Sequence, residues 1–269
     1  MSDSLRYFAE DFTSSDEDKR LAVLADNYDP GTFRLLEDCG VAAGWSCAEV
    51  GAGGGSVAAW LAEVVGLEGS VVAFDIDISH LDHLARRPNV EVRKHDIIAE
   101  RIPEADFDLV HARLVIEHLP NANRLLEMLA AAVQPGGMLV VESTDMLTTA
   151  AADQSDPRGR PFEEFMAMSL AAVESMSTFD VRFARRLPKL FDALGFDMSQ
   201  SQVVGRVARG GDSKSAEYAM PVATTLRSTF IDQGRTTAEA IDEYVASLAD
   251  PDFWFVANSV VAAWGRRPL

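Results

Sequence analysis

The stretch Ala48-Glu49-Val50-Gly51-Ala52-Gly53-Gly54-Gly55-Ser56 decides how this chain is read. A short apolar run ending at Val50 enters it, and Val57-Ala58-Ala59-Trp60-Leu61 leaves it at helical spacing. The expectation is a strand at 46–50, a tight turn on Gly51 and Gly53, and a helix over about 55–65. Glycine tolerates positive φ, and its missing Cβ lets backbone come close to a bound ligand. Any sharp strand-to-helix turn favours glycine, so the loop alone is weak evidence. Its spacing is G-x-G-x-G, and Ser56 occupies the third-glycine place of the dinucleotide pattern G-x-G-x-x-G.

Outward from the loop, strand and helix candidates alternate. Val71–Ile76 reads as a strand, followed by a helix near 79–86. Val90–Arg93 and Phe107–Ala112 read as the third and fourth strands. Leu125, Leu126, Leu129 and Val133 give an amphipathic helix over 121–133, stopped by Gln134-Pro135-Gly136-Gly137. Met138–Glu142 is a fifth strand, 185–194 a helix, 196–207 a sixth strand and Trp254–Trp264 a closing seventh. This alternation predicts an α/β fold, a doubly wound, mostly parallel sheet of seven strands with helices on both faces.

Two segments break the rhythm. Residues of about 145–182 hold a polar loop and then a helix rich in Met and Phe (Phe162, Phe165, Met166, Met168, Leu170). Residues of about 214–250 are helical again, with Thr236 as the expected N-cap of Ala238–Leu248. Both read as helical lid insertions in a main domain over 45–269. Residues 1–44 read as an N-terminal helical arm or cap, with its helical pattern interrupted by an Asp29-Pro30-Gly31 turn.

Two further elements stand at strand ends, where open α/β sheets bind ligands. Phe74-Asp75-Ile76 closes the second strand, 20 residues past Gly55, and its carboxylate can accept two ribose hydroxyls. Asp77 is a rival, but Val71, Val72 and Phe74 put Asp75 at the strand edge. Lys94-His95-Asp96-Ile97 follows the third strand. Asp96 there can accept from an adenine amino group, while Ile76 and Ile97 offer apolar faces to the ring. Each acid alone could be an ordinary turn residue; three suitable groups at consecutive strand ends change the odds.

Taken together, Glu49–Gly55, Asp75, His95-Asp96, Phe107-Asp-Leu-Val-His-Ala-Arg113 and Pro135-Gly-Gly-Met-Leu-Val-Val-Glu142 resemble the ordered motifs of class I S-adenosylmethionine-dependent methyltransferases. The likeness is close over about 45–145 and looser beyond. It implies S-adenosylmethionine as cofactor. The loop with Glu49, Gly51 and Gly53 would hold its methionine part, Asp75 the ribose, and Asp96 the adenine, to which Ile76 and Ile97 offer their apolar faces. It places His111 beside the methionine and sulfonium, and Tyr28 closing over the cofactor. The last third resembles the helical lids of natural-product methyltransferases, which implies a small-molecule acceptor methylated on oxygen or nitrogen.

Composition agrees with that reading. A formal charge of −18, from 42 acidic and 24 basic residues, disfavours nucleic-acid partners. No apolar run reaches the roughly 18 residues of a membrane span, so no membrane partner is expected. The start lacks a secretory pattern, and Cys39 and Cys47 fit neither a metal site nor a disulfide framework, which together predict a cytoplasmic protein without a metal. A homodimer is one assembly open to it. His111, His118, Glu142 and Asp145 are candidate bases, but no catalytic base is assigned, because methyl transfer from a sulfonium mainly needs alignment. Two other functions compete: an NAD-dependent oxidoreductase on the related dinucleotide fold, and a methyltransferase fold that has taken up non-methylating chemistry. A protein or RNA methyltransferase is a weaker third.

Overall fold

The computed structural model describes residues 14–102, 106–175, 179–211, 213–225, 227–232, 234 and 236–269. The first 13 residues of the arm expected over 1–44 lie outside them. In chain order the helices are α1 (Ser14–Asp38), α2 (Ser56–Val65), α3 (Ala122–Ala132), α4 (Gly159–Ser175), α5 (Phe183–Ala193), α6 (Lys214–Thr225), α7 (Arg227–Asp232) and α8 (Ala238–Ala249). The strands are β1 (Ser46–Val50), β2 (Ser70–Asp75), β3 (Val90–Lys94), β4 (Phe107–Arg113), β5 (Val133–Asp145), β6 (Ala150–Ala151), β7 (Asp197–Val204), β8 (Val207–Arg209), β9 (Trp254–Val256) and β10 (Ser259–Arg266). They divide between two compact units.

The first unit comprises Tyr28–Ser143, Phe183–Val203 and Val261–Leu269. Its seven-stranded sheet has the order β3-β2-β1-β4-β5-β10-β7, and β1·β2, β2·β3, β1·β4 and β4·β5 all pair in parallel. This is the doubly wound sheet expected above. Strand residues alternate between two cores, as a period of two requires. Val50, Phe74, Val110, Ala112, Leu139 and Val141 pack with Leu125, Leu126 and Leu129 of α3 and Leu187 and Phe191 of α5. Cys47, Val71, Ala73, Leu109, Met138 and Val140 pack on the other face with Leu35 and Leu36 of α1 and Val57, Leu61 and Val65 of α2. The order reverses between β1 and β4, which puts the topological switch point at the glycine loop.

The second unit comprises residues up to Asn27, Thr144–Arg182 and Val204–Val260. It holds α4, α6, α7, α8 and a small sheet of order β6-β9-β8, with antiparallel pairs. Its core is aromatic. Tyr244 stacks on Phe162 at a centroid distance of 5.1 Å and meets Phe165 at 4.2 Å, with Phe253 and Phe255 beside them. Asn27 of α1 donates to the Lys214 carbonyl at 3.1 Å, and Asp26 pairs with the Lys214 ammonium at 3.1 Å. Phe162, Phe165 and Met166 are buried in this unit's own core, so they serve packing first.

Five stretches depart from the expectation. α1 runs unbroken through Pro30 rather than turning at Asp29-Pro30-Gly31. The ring costs roughly 3 kcal/mol in a helix interior, and burying Leu35 and Leu36 one turn later offsets it at roughly 1.5–3 kcal/mol each. The helix near 79–86 is instead two 3₁₀ turns, Ile78–His80 and Leu84–Arg86. The N-cap of α8 is Thr237, not Thr236; its hydroxyl accepts from the Ala240 amide at 3.3 Å. The closing strand is two strands, β9 and β10, in different sheets, and 196–207 likewise splits into β7 and β8.

Candidate active site

The site begins at the carboxyl end of β1. Gly51, Gly53 and Gly55 have φ of +72°, +53° and +77°, the left-handed region that glycine occupies without strain. A Cβ on Gly51 would lie 2.2 Å from a Val115 methyl carbon, so only glycine lets the segment after β4 close against the loop. The amides of Gly51 and Ala52 donate to the Phe74 carbonyl at 2.8 and 3.1 Å, which ties the loop to the end of β2.

Asp75 is the hub of the next layer. Its carboxylate accepts from the Gly53 amide at 2.8 Å and from the Asp77 amide at 3.0 Å. Its carbonyl accepts from the His95 amide at 2.8 Å, which braces the end of β3. Burial raises the pKa of Asp75 despite those amide donors. A partly desolvated carboxylate with spare acceptor capacity suits a ligand that brings its own hydroxyl donors. Asp77, by contrast, is exposed and caps a 3₁₀ turn through the Ser79 amide at 3.0 Å. The structure therefore brings Gly51, Gly53 and Asp75 together and leaves Asp77 in a local role.

Asp96 follows β3 and accepts from the Ile98 amide at 2.9 Å. Ile76 is 59% exposed beside Asp75, as a platform for a ring would be. The side chain of Ile97 does not match it: it is buried in the sheet core, and Ile98 is the exposed neighbour. Tyr28 lies half-buried on α1, one residue before Asp29.

His111 and Glu49 sit deeper than expected. His111 is fully buried on β4, with Nδ1 2.6 Å from a Glu49 carboxylate oxygen and Nε2 3.2 Å from one of Glu142. Both ring nitrogens are engaged by protein, so the ring braces the strands beneath the loop. Burial by itself lowers the pKa of His111, but the two carboxylates outweigh it and raise it to about 9. Glu142 shifts the other way: burial raises its pKa, and hydrogen bonding to His111, the charges of His111 and Arg113, and the Thr32 hydroxyl together bring it below the usual range.

The network continues through residues that the sequence left unassigned. Arg113 donates to the Asp29 carboxylate at 2.8 Å and to the Thr32 hydroxyl at 2.9 Å, and the Ser56 hydroxyl donates to Asp29 at 3.1 Å. Asp29 thus joins α1, the end of β4 and the first residue of α2. Leu114, next after Arg113, has φ +58° and donates its amide to the Glu142 carbonyl at 2.8 Å. A bulky residue held left-handed at a strand end is strain of the kind that collects at binding sites. A signal was present: His111 and Arg113 are polar residues two apart in a central strand, hence on one face, and such residues need buried partners.

The chain belongs to the methyltransferase-domain family, whose model matches residues 13–201. Within it, the fold and ordered motifs are those of the class I S-adenosylmethionine-dependent branch. Methyltransferase str2 of Strobilurus tenacellus is 32% identical over 99 residues, 36% of this chain and 34% of that protein. A probable S-adenosylmethionine-dependent methyltransferase of Mycolicibacterium smegmatis is 27% identical over 169 residues, 62% of this chain and 57% of that protein. The matches thus span from a third to somewhat over half of these relatives' own length. Among solved structures, a Haemonchus contortus phosphoethanolamine N-methyltransferase aligns with a TM-score of 0.59 at 14% identity, covering 100% of this chain and 61% of that one. The YcgJ protein of Bacillus subtilis aligns with a TM-score of 0.54 at 14% identity, covering 87% and 97%. At such identities the structures attest the fold.

Proposed function

We propose that this protein binds S-adenosylmethionine at the glycine loop and transfers its methyl group to an oxygen or nitrogen of a small molecule. The observation that carries the reading is the Asp75 carboxylate, clamped to the Gly53 amide at the switch point with exposed Ile76 beside it. Asp75 is assigned to the ribose hydroxyls, Asp96 and the backbone at Ile97 to adenine, and Gly51, Gly53 and the end of β4 to the methionine part. Tyr28 is assigned a covering role from α1. The cofactor supplies an activated methyl on a sulfonium, an excellent leaving group. The protein's part is to hold the acceptor in line and keep water out, worth roughly 7–11 kcal/mol when alignment is good.

The acidic surface supports a small acceptor over a nucleic acid. Acceptor choice is assigned to the helical segments of about 145–182 and 214–250, whose partly buried Leu170 and Met168 are candidates for contact. Incubation with methyl-labelled S-adenosylmethionine and a panel of small phenols, amines and carboxylates tests the reading. Label should appear in at least one small product. Cofactor binding with no transfer to any class would favour non-methylating chemistry, and transfer only to protein or RNA would overturn the acceptor assignment. Leu170→Ala should raise the acceptor's KM by roughly threefold or more, with cofactor affinity unchanged. Unaltered acceptor kinetics in a folded variant would remove Leu170 from the acceptor site.

A further inference from the structure

The histidine at the centre of the sheet makes a demand that one imidazole tautomer cannot meet. His111 of β4 faces Glu49 of β1 directly, since the two are register partners, and Glu142 of β5 from the other side. A neutral imidazole has one N–H and one lone pair. With both acids ionised, whichever nitrogen carried the proton, the other would face a carboxylate oxygen, lone pair against lone pair. None of the three side chains can turn to water: His111 is 0% exposed and the Glu49 and Glu142 side chains are 3% and 7% exposed.

The surrounding charges decide where the extra proton goes. From α1 come Thr32, which donates to Glu142, and Asp29, which is paired with Arg113. From β4 comes Arg113, whose charge also favours the Glu142 anion. Cys39, just after α1, also feels Glu142, but burial, with the nearby acids, pushes its thiol up to about 12, so it is neutral. Glu49, Glu142 and Asp29 thus outnumber Arg113, the cation that pairs with Asp29 and acts on Glu142, unless the ring is charged. An imidazolium satisfies both short contacts at once and leaves each acid a charge-assisted partner.

We propose that His111 is a buried positioning residue, protonated at neutral pH, whose imidazolium holds Glu49 and Glu142 together and thereby sets the glycine loop two residues beyond Glu49. The charge state rests on the two short contacts together with the charges around them, whereas the positioning role rests on the cofactor reading above. The direction with pH is fixed. A histidine whose folded pKa is raised contributes stability in full below its ordinary 6.5, and that contribution is lost as pH climbs through about 9.

Ring-nitrogen NMR of labelled protein, with the His111 signals assigned by H111Q, tests the charge. Both nitrogens should be protonated at about pH 7.5 and titrate together on the alkaline side; E142Q, with one carboxylate neutralised, should move that titration down. A single neutral tautomer at about pH 7.5 would overturn the proposal. S-adenosylhomocysteine titrations test the role. H111Q should bind roughly tenfold or more weakly than wild type near pH 7.5, and the gap should shrink to about threefold or less near pH 10, where the wild-type ring is neutral too. Comparing the two proteins cancels titration of the ligand's own amine. A gap that stays constant to pH 10 would reduce His111 to packing and overturn the role. If H111Q does not fold, the same comparison is made with E142Q, whose binding should fail at lower pH than that of wild type; coincident profiles would overturn the role. Imidazolium in the spectrum with no ligand binding at any pH would overturn the cofactor reading and the positioning role with it, but not the charge.

Discussion

Asp75→Ala is expected to weaken S-adenosylmethionine binding by roughly 2–4 kcal/mol, because charge-assisted hydrogen bonds to two hydroxyls are lost. Asp77→Ala should cost less than half of that, since Asp77 caps a turn and is exposed. Asp75 also accepts from the Gly53 amide, so alanine loosens the loop as well. Asp75→Asn reduces the loosening: its amide oxygen can still accept from Gly53, although its NH2 then faces the Asp77 amide, and the charge on the ribose side is gone. Its melting temperature should fall less than that of Asp75→Ala while affinity still drops. The pH dependence has a definite sign. Burial raises the Asp75 pKa, so its anion is disfavoured in the fold, and protonation relieves that strain as pH falls. Cofactor affinity should therefore decline on the acid side at a higher pH than for an ordinary aspartate. Calorimetry of the three variants checks this; equal losses for Asp75→Ala and Asp77→Ala, or the reverse order, would contradict the assignment.

The second large effect is expected at Gly51. Alanine there meets both a left-handed φ of +72° and Val115 at 2.2 Å. The conformation costs roughly 1–2 kcal/mol and the overpacking roughly 1–3 kcal/mol more. Gly195, which ends α5 in a left-handed turn, is the control, because its φ is +76° with nothing within 4 Å of an added Cβ. Gly195→Ala should show the conformational cost alone, and Gly51→Ala should lose clearly more stability and nearly all cofactor binding. Adding Val115→Ala to Gly51→Ala should recover the packing part and leave the φ part. Denaturant unfolding of the four proteins reads this directly. A Gly51→Ala protein no less stable than Gly195→Ala would mean that Val115 yields freely and the loop is not closed by that contact.

What was legible in the sequence was local and periodic. Strand runs such as Val71–Phe74 and Leu139–Val141, the glycine loop and the strand-end acids all carry their signal within a few residues. The misreadings have separate physical causes. Asp29-Pro30-Gly31 has the chemistry of a turn, but buried Thr32, Leu35 and Leu36 hold α1 helical through it. Leu81 and Leu84, the buried pair of 79–86, are three apart, which serves a 3₁₀ turn as well as an α-helix. The network under the loop was hidden for another reason: His111 meets partners 62 and 31 residues away, and Arg113 reaches Asp29 across 84. Such pairings depend on strand order, which local patterns do not encode.

If the glycine loop with Asp75 forms an S-adenosylmethionine site, titration calorimetry with S-adenosylmethionine, S-adenosylhomocysteine and NAD should show it. The first two should bind in the low-micromolar range, about −7 to −8 kcal/mol, with no heat from NAD. No heat and no thermal shift with either adenosyl ligand, or saturable binding of NAD in their place, would contradict it.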